Sequence, residues 1–136
     1  MEPIAFEVRM PDDYKKALDR VTAALKAEGF GILTRIDVDT TLKEKLGADF
    51  RPYAILGACN PPLAHKALSH DAEVGLMLPC NVTVEVAPDG KGCVARIADP
   101  KMMMMAGRFA GDRVLEEVAG EARARLERVA AALRTG

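Results

Sequence analysis

Ile4, Phe6, Val8 and Met10 alternate with Ala5, Glu7 and Arg9, which predicts a half-buried strand with one wet face. The period then changes. Tyr14, Leu18, Val21 and Leu25 recur at helical spacing. Pro11 suits the first turn of that helix, Asp12 and Asp13 complement the positive end of its dipole, and Gly29 is placed to stop it. Alternation returns at Ile32, Thr34, Ile36 and Val38, with Leu33, Arg35 and Asp37 on the other face. Thr41 and Glu44 have the spacing of a capping box, Leu42 and Leu46 share a face, and Gly47 ends the segment, so a short helix is predicted there. Residues 51–59, Arg-Pro-Tyr-Ala-Ile-Leu-Gly-Ala-Cys, read as a third strand. Asn60 is a good N-cap, and Pro61-Pro62 open a third short helix carrying Leu63, Ala64, Ala67 and Leu68.

From Gly75 the chain reads as extended. Cys80, Val82, Val84 and Val86 line one face and Asn81, Thr83 and Glu85 the other. Pro88-Asp89-Gly90-Lys91-Gly92 is a turn, and Cys93, Ala95 and Ile97 return on an alternating strand, completing a hairpin. Asp99-Pro100 breaks the strand. A long helix over about Asp112 to Leu133 carries Val114, Leu115, Val118, Ala122, Leu126, Val129 and Leu133 on one stripe. Five alternating strands with one wet face require cover on the other. The predicted class is α+β: a two-layer sandwich, a mainly antiparallel sheet packed on one face by the first and last helices.

At 136 residues, with 49% hydrophobic and 29% charged side chains and no internal repeat, the chain is expected to form a single domain over 1–136. Nineteen basic and 20 acidic residues leave a net charge of -1, which removes the electrostatic case for nucleic acid or an anionic membrane as partner. No apolar run is long enough to span a bilayer, and the N-terminus shows no secretory pattern. Cysteines at 59, 80 and 93 are too few and too widely spaced for a disulfide framework. A cytoplasmic protein is expected.

Chemistry concentrates between Asp49 and Asn81. Cys59 precedes a predicted helix N-terminus, where unpaired N–H groups favour a thiolate; the plainer reading is a small buried hydrophobe. His65 follows six residues later. Cys80 has the pattern of a core residue, yet both it and Cys59 are followed by Asn, so Cys59-Asn60 and Cys80-Asn81 are candidates to line one pocket. Arg51 and Tyr53 face one way and are placed at its expected mouth. Cys93 is assigned to packing and His70 to solvent. No C-x-x-C or H-x-x-x-H spacing is present, so no metal ligand is named and a closed zinc site is not expected. Met102–Met105 raises copper(I), but four consecutive helical residues point in four directions, and packing is the better reading. Glu7, Arg9, Arg35, Asp37, Glu85 and Arg96 on the wet face read as cross-strand charge pairs. There is no phosphate-binding glycine loop and no Gly-x-Ser-x-Gly elbow.

Asp-Phe-Arg-Pro-Tyr at 49–53, Leu-Gly-Ala-Cys-Asn-Pro-Pro-Leu-Ala-His at 56–65, Leu-Pro-Cys-Asn-Val at 78–82, Gly29-Phe30-Gly31, and Asp99-Pro100 followed by methionines resemble the bacterial and archaeal family called domain of unknown function 302. The resemblance implies a five-stranded β-α-β4-α sandwich and a homodimer; it supplies neither an activity nor a cofactor. Three functions compete. The first is a homodimeric module binding a small molecule or soft metal in a pocket from residues 51–65 and 78–81, with Arg51, Tyr53, Cys59, Asn60, His65, Cys80 and Asn81 as ligand-binding residues. The second is a thiol-dependent enzyme of sulfur transfer or redox chemistry with Cys59 as catalytic residue. The third is a structural interaction protein.

Overall fold

The computed structural model describes residues 3–135. Strand β1 (Ala5–Met10) leads to helix α1 (Tyr14–Ala27). Asp13 is the N-cap, its side chain accepting the Lys16 N–H at 2.8 Å, while Asp12 pairs with Arg20 at 2.6 Å. Pro11 therefore lies ahead of the helix and not in its first turn, because the capping carboxylate fixes the start one residue after itself. At the other end Gly29 takes φ 85°. The Gly29 and Phe30 N–H groups donate to the Lys26 and Leu25 carbonyls, the paired bonds of a Schellman motif. This turn sends Phe30 into the core and starts strand β2 (Gly31–Asp37).

Strand β2 departs from its simple alternation. Its pairing with β3 (Tyr53–Cys59) shifts register between Ile32 and Thr34. Leu33 is the extra residue of a bulge, and one inserted residue reverses the facing of everything after it. Ile36, expected inward, instead lies across from Ile55 and is 49% exposed. Arg35 and Asp37, expected on the wet face, share the helix side with Leu56 and Ala54 and hydrogen-bond each other at 2.9 Å. Val38 is already the first residue of helix α2 (Val38–Leu46). That early start removes the Thr41–Glu44 capping box: Thr41 is inside the helix, and its hydroxyl donates back to the Asp37 carbonyl. Ile4 also departs from expectation, standing before β1 and 65% exposed.

Helix α3 (Pro61–His70) follows β3 as expected. The stretch from Gly75 is not extended; Ala72–Met77 forms a 3₁₀ turn, begun by the Asp71 carboxylate accepting the Glu73 N–H. Extension starts only at β4 (Cys80–Val86), after a cis Leu78–Pro79 bond, and β4 pairs with β5 (Cys93–Ala98). Helix α4 (Pro100–Met103) is capped by Asp99. Helix α5 (Arg113–Thr135) begins where Asp112 accepts the Leu115 N–H at 3.1 Å.

The five strands make an open antiparallel sheet in the order β1-β5-β4-β3-β2. Because β1 and β2 are opposite edges, α1 must cross the sheet between them, and α5 packs beside it. The main core lies between sheet and helices, with Val8, Leu56, Val82, Val84 and Ile97 from the strands meeting Leu25, Leu126 and Val129 from α1 and α5. Each such buried side chain contributes about 1.5–3 kcal/mol of transfer free energy. The opposite face carries the charges. Glu85 is buried there, accepting from Arg51 at 2.5 Å and from Arg96, which also donates to Glu7 at 2.9 Å.

Candidate functional site

A second, smaller apolar cluster holds Ala67, Val74, Phe109 and Leu115, with Met104 packed against it. It lies where the end of β3 and the start of β4 meet α3 and α5. Between this cluster and the main core is a cavity of about 50 Å³. Ala58, Cys59 and Asn60 line it from β3 and its end, Cys80 from β4, Leu63 and Ala67 from α3, Met104 from beyond α4, and Leu115 and Ala119 from α5. Among these side chains the heteroatoms are the sulfurs of Cys59, Cys80 and Met104 and the amide of Asn60.

Both cysteines line this cavity, Cys59 from the last residue of β3 and Cys80 from the first residue of β4. Ala58 is directly opposite Cys80, so Cys59 ends β3 one residue past that pair. Both are half-buried, whereas Cys93 is fully buried in the main core as expected. Burial pushes the Cys80 thiol up to about 11, and the charge that Cys59 would place beside it adds to the shift. Cys80 is therefore a protonated thiol at neutral pH.

The helix end beyond Cys59 differs from the simple expectation of unpaired donors. Pro61 and Pro62 have no N–H to give. The Leu63 N–H is taken by the Asn60 side chain at 3.2 Å, and the Ala64 N–H by the Asn60 carbonyl at 2.9 Å. The first turn thus presents no free backbone donor to a thiolate. Asn60 is consumed as cap and as packing: its amide nitrogen lies so near Gly29 that a Cβ there would stand 2.9 Å away. Gly29-Phe30 and Cys59-Asn60 are therefore one joint in the fold.

Of the seven residues expected at the pocket, Cys59, Asn60 and Cys80 converge there. Arg51 and Tyr53 do not. Tyr53 opens β3 and Cys59 closes it, so they are about 20 Å apart at strand rise. Arg51 is engaged with Glu85 and lies 4.6 Å from the Phe50 ring centroid. His65 is exposed on α3. Asn81 is also exposed, opposite Gly57 and on the other side of the strand from Cys80; the two Cys-Asn pairs do not share an interior. His70 is exposed and contacts Asp112 at 2.8 Å. Met104, Leu115 and Ala119 are the contributors that short-range spacing does not reveal. The methionine run does diverge: Met104 alone of the four lines the cavity.

The model for "Domain of unknown function DUF302" matches residues 6–133. The chain belongs to the DUF302 family. A crystal structure of an uncharacterized conserved DUF302 protein from Bacillus stearothermophilus superposes with a TM-score of 0.85 at 30% identity, covering 98% of this chain and 100% of that one. No curated protein matches. Family membership accounts for the open antiparallel sheet with helices on one side, and the family's description carries no activity. Among the described residues no helix is long and apolar enough to cross a membrane, and no three His, Cys, Asp or Glu side chains form a metal-binding group.

Proposed function

We propose that this DUF302 protein is a cytoplasmic, single-domain binding module, and that its ligand occupies the cavity between β3, β4, α3 and α5. The observation that carries this reading is the convergence of two cysteines and one methionine on a cavity of about 50 Å³ whose other lining residues, Asn60 apart, are apolar. That volume is far below the roughly 300–1,000 Å³ of sites for drug-sized molecules. It suits an ion or a ligand of a few heavy atoms. A homodimer fits the unpaired β2 edge, where Leu33 and Ile36 are exposed apolar side chains.

The thiol-enzyme reading has weaker support, since the α3 N-terminus offers no free donor to a Cys59 thiolate and His65 points to solvent. The test is thermal denaturation against a panel of small anions, small sulfur compounds and metal ions. A ligand at about 100 times its Kd adds about 2.7 kcal/mol, or some 9 °C for a chain of this length. Ala119→Val, which places two methyl groups at the cavity wall, should abolish that rise. A panel with no stabilising member, or a rise untouched by Ala119→Val in a folded variant, refutes the module.

A further inference from the structure

Three soft donors meet where the sequence spacing shows no metal motif. Cys59 and Cys80 come from adjacent antiparallel strands, and Met104 from the segment after α4; all three line the same cavity. Apart from the Asn60 amide and the Phe30 ring the remaining wall is aliphatic, and the space is comparable to one or two waters. We infer that Cys59, Cys80 and Met104 form a binding site for copper(I), with the two cysteines as thiolate ligands and Met104 as a thioether third. This deepens the binding-module reading and rests on it.

The donor set selects the metal. Thiolate and thioether favour copper(I), while structural zinc requires four ligands in a closed tetrahedron. No group of three or more His, Cys, Asp or Glu side chains stands here among the described residues, and the Asn60 amide oxygen already accepts the Leu63 N–H. Copper(I) is satisfied by two or three soft donors. On binding, the two cysteine S–H bonds and the copper–acetonitrile bonds break, three copper–sulfur bonds form, and two protons and the released acetonitrile leave to solvent; copper stays copper(I) and no electron moves. The product carries one net negative charge. Because thiol protons are displaced, affinity must rise with pH through neutrality.

The experiment is an anaerobic titration of the reduced full chain with copper(I) supplied as its acetonitrile complex, against a chromogenic copper(I) chelator. One copper per chain is expected, with near-ultraviolet thiolate-to-copper absorption. Cys59→Ser and Cys80→Ser should each weaken binding by more than the roughly 10–100-fold that loss of an outer-shell partner costs. Met104→Leu should weaken it by about tenfold, within that same range, and Met102→Leu should leave it unchanged. Where a serine variant does not fold, alkylation mapping of the wild-type chain replaces it: one equivalent of copper(I) must protect Cys59 and Cys80 together. Absence of binding, copper retained by the Cys59→Ser and Cys80→Ser variants, or unprotected thiols overturns the site. If copper fails while another panel member raises the melting temperature, only this inference falls. If nothing raises it, the binding module falls as well.

Discussion

Glu85 offers the sharpest test of the energetics. It is 3% exposed on the sheet face away from the helices, with Arg51 at 2.5 Å and Arg96 also donating to it. Burial alone would raise its carboxyl, but the hydrogen bonds and charges of Arg51 and Arg96 outweigh burial and hold it below the usual carboxylate range. Glu85→Gln preserves shape and removes the charge. Breaking a fully buried pair costs about 3–5 kcal/mol. Here the guanidinium side chains are 38% and 39% exposed and regain water, so the loss should be about 2–3 kcal/mol. With an unfolding entropy near 0.3 kcal/mol/K for 136 residues, the melting temperature falls by about 7–10 °C.

The pH dependence separates charge from packing. A carboxyl whose folded pKa is depressed adds stability above its unfolded value, near 4.5, and loses it as pH falls through the lower folded value. The gap between wild type and Glu85→Gln should therefore be full at pH 7, begin to close below about 4.5 and become small once the folded carboxyl is protonated. Urea unfolding of both proteins from pH 7 to pH 2.5 measures it. A gap independent of pH would mean that the glutamine is destabilising for reasons of shape, and the electrostatic account would be wrong. Equal stability at pH 7 would show that the three side chains contribute no net free energy.

Two local predictions follow from backbone geometry. Asn60→Ala removes the α3 cap bonded to Leu63 and should cost about 1 kcal/mol, some 3–4 °C; Asn60→Asp keeps the acceptor and should recover most of it in the same melting assay. Gly92→Ala places a Cβ 2.3 Å from the Met10 carbonyl oxygen at φ 71°, so β1 or the hairpin must shift. A loss above about 2 kcal/mol in urea unfolding is expected, and a change within 0.5 kcal/mol would contradict the close approach.

The layered architecture was legible because local periodicity and chain order agree: α1, β4, β5 and α5 each carry a pattern that only one face of a sandwich satisfies. The edge strand was not. Ile32 to Val38 looks like an unbroken alternation, and no residue in it announces the bulge. Only the register imposed by β3 shows that Leu33 is inserted and that Ile36 faces outward. The failure of the Thr41–Glu44 box has the same origin, since the chain leaves the sheet and starts α2 three residues before Thr41. Likewise the 3₁₀ turn at Ala72–Met77 depends on the Asp71 carboxylate accepting an N–H two residues on, and Val74 contributes to a cluster formed with α5 residues some forty positions away.

The site divides along the same line. Cys59, Asn60 and Cys80 were found because a strand end, a cap and a strand start are local features. The methionine run suggests soft donors, but which of the four lines the cavity is a matter of direction, which adjacent positions do not specify; it is Met104. Arg51 and Tyr53 erred oppositely: nearness in sequence to Cys59 became distance in space, because β3 is fully extended between them. The double proline carries the last step. At a helix start it removes two of the donors that would otherwise face an anion. Here the Asn60 side chain claims the Leu63 N–H and the Asn60 carbonyl claims that of Ala64, so the end of β3 is ordered without being made a strong anion site. A thiol held there is better suited to be a ligand for a soft cation, which supplies the positive charge itself, than a nucleophile that needs the protein to supply it.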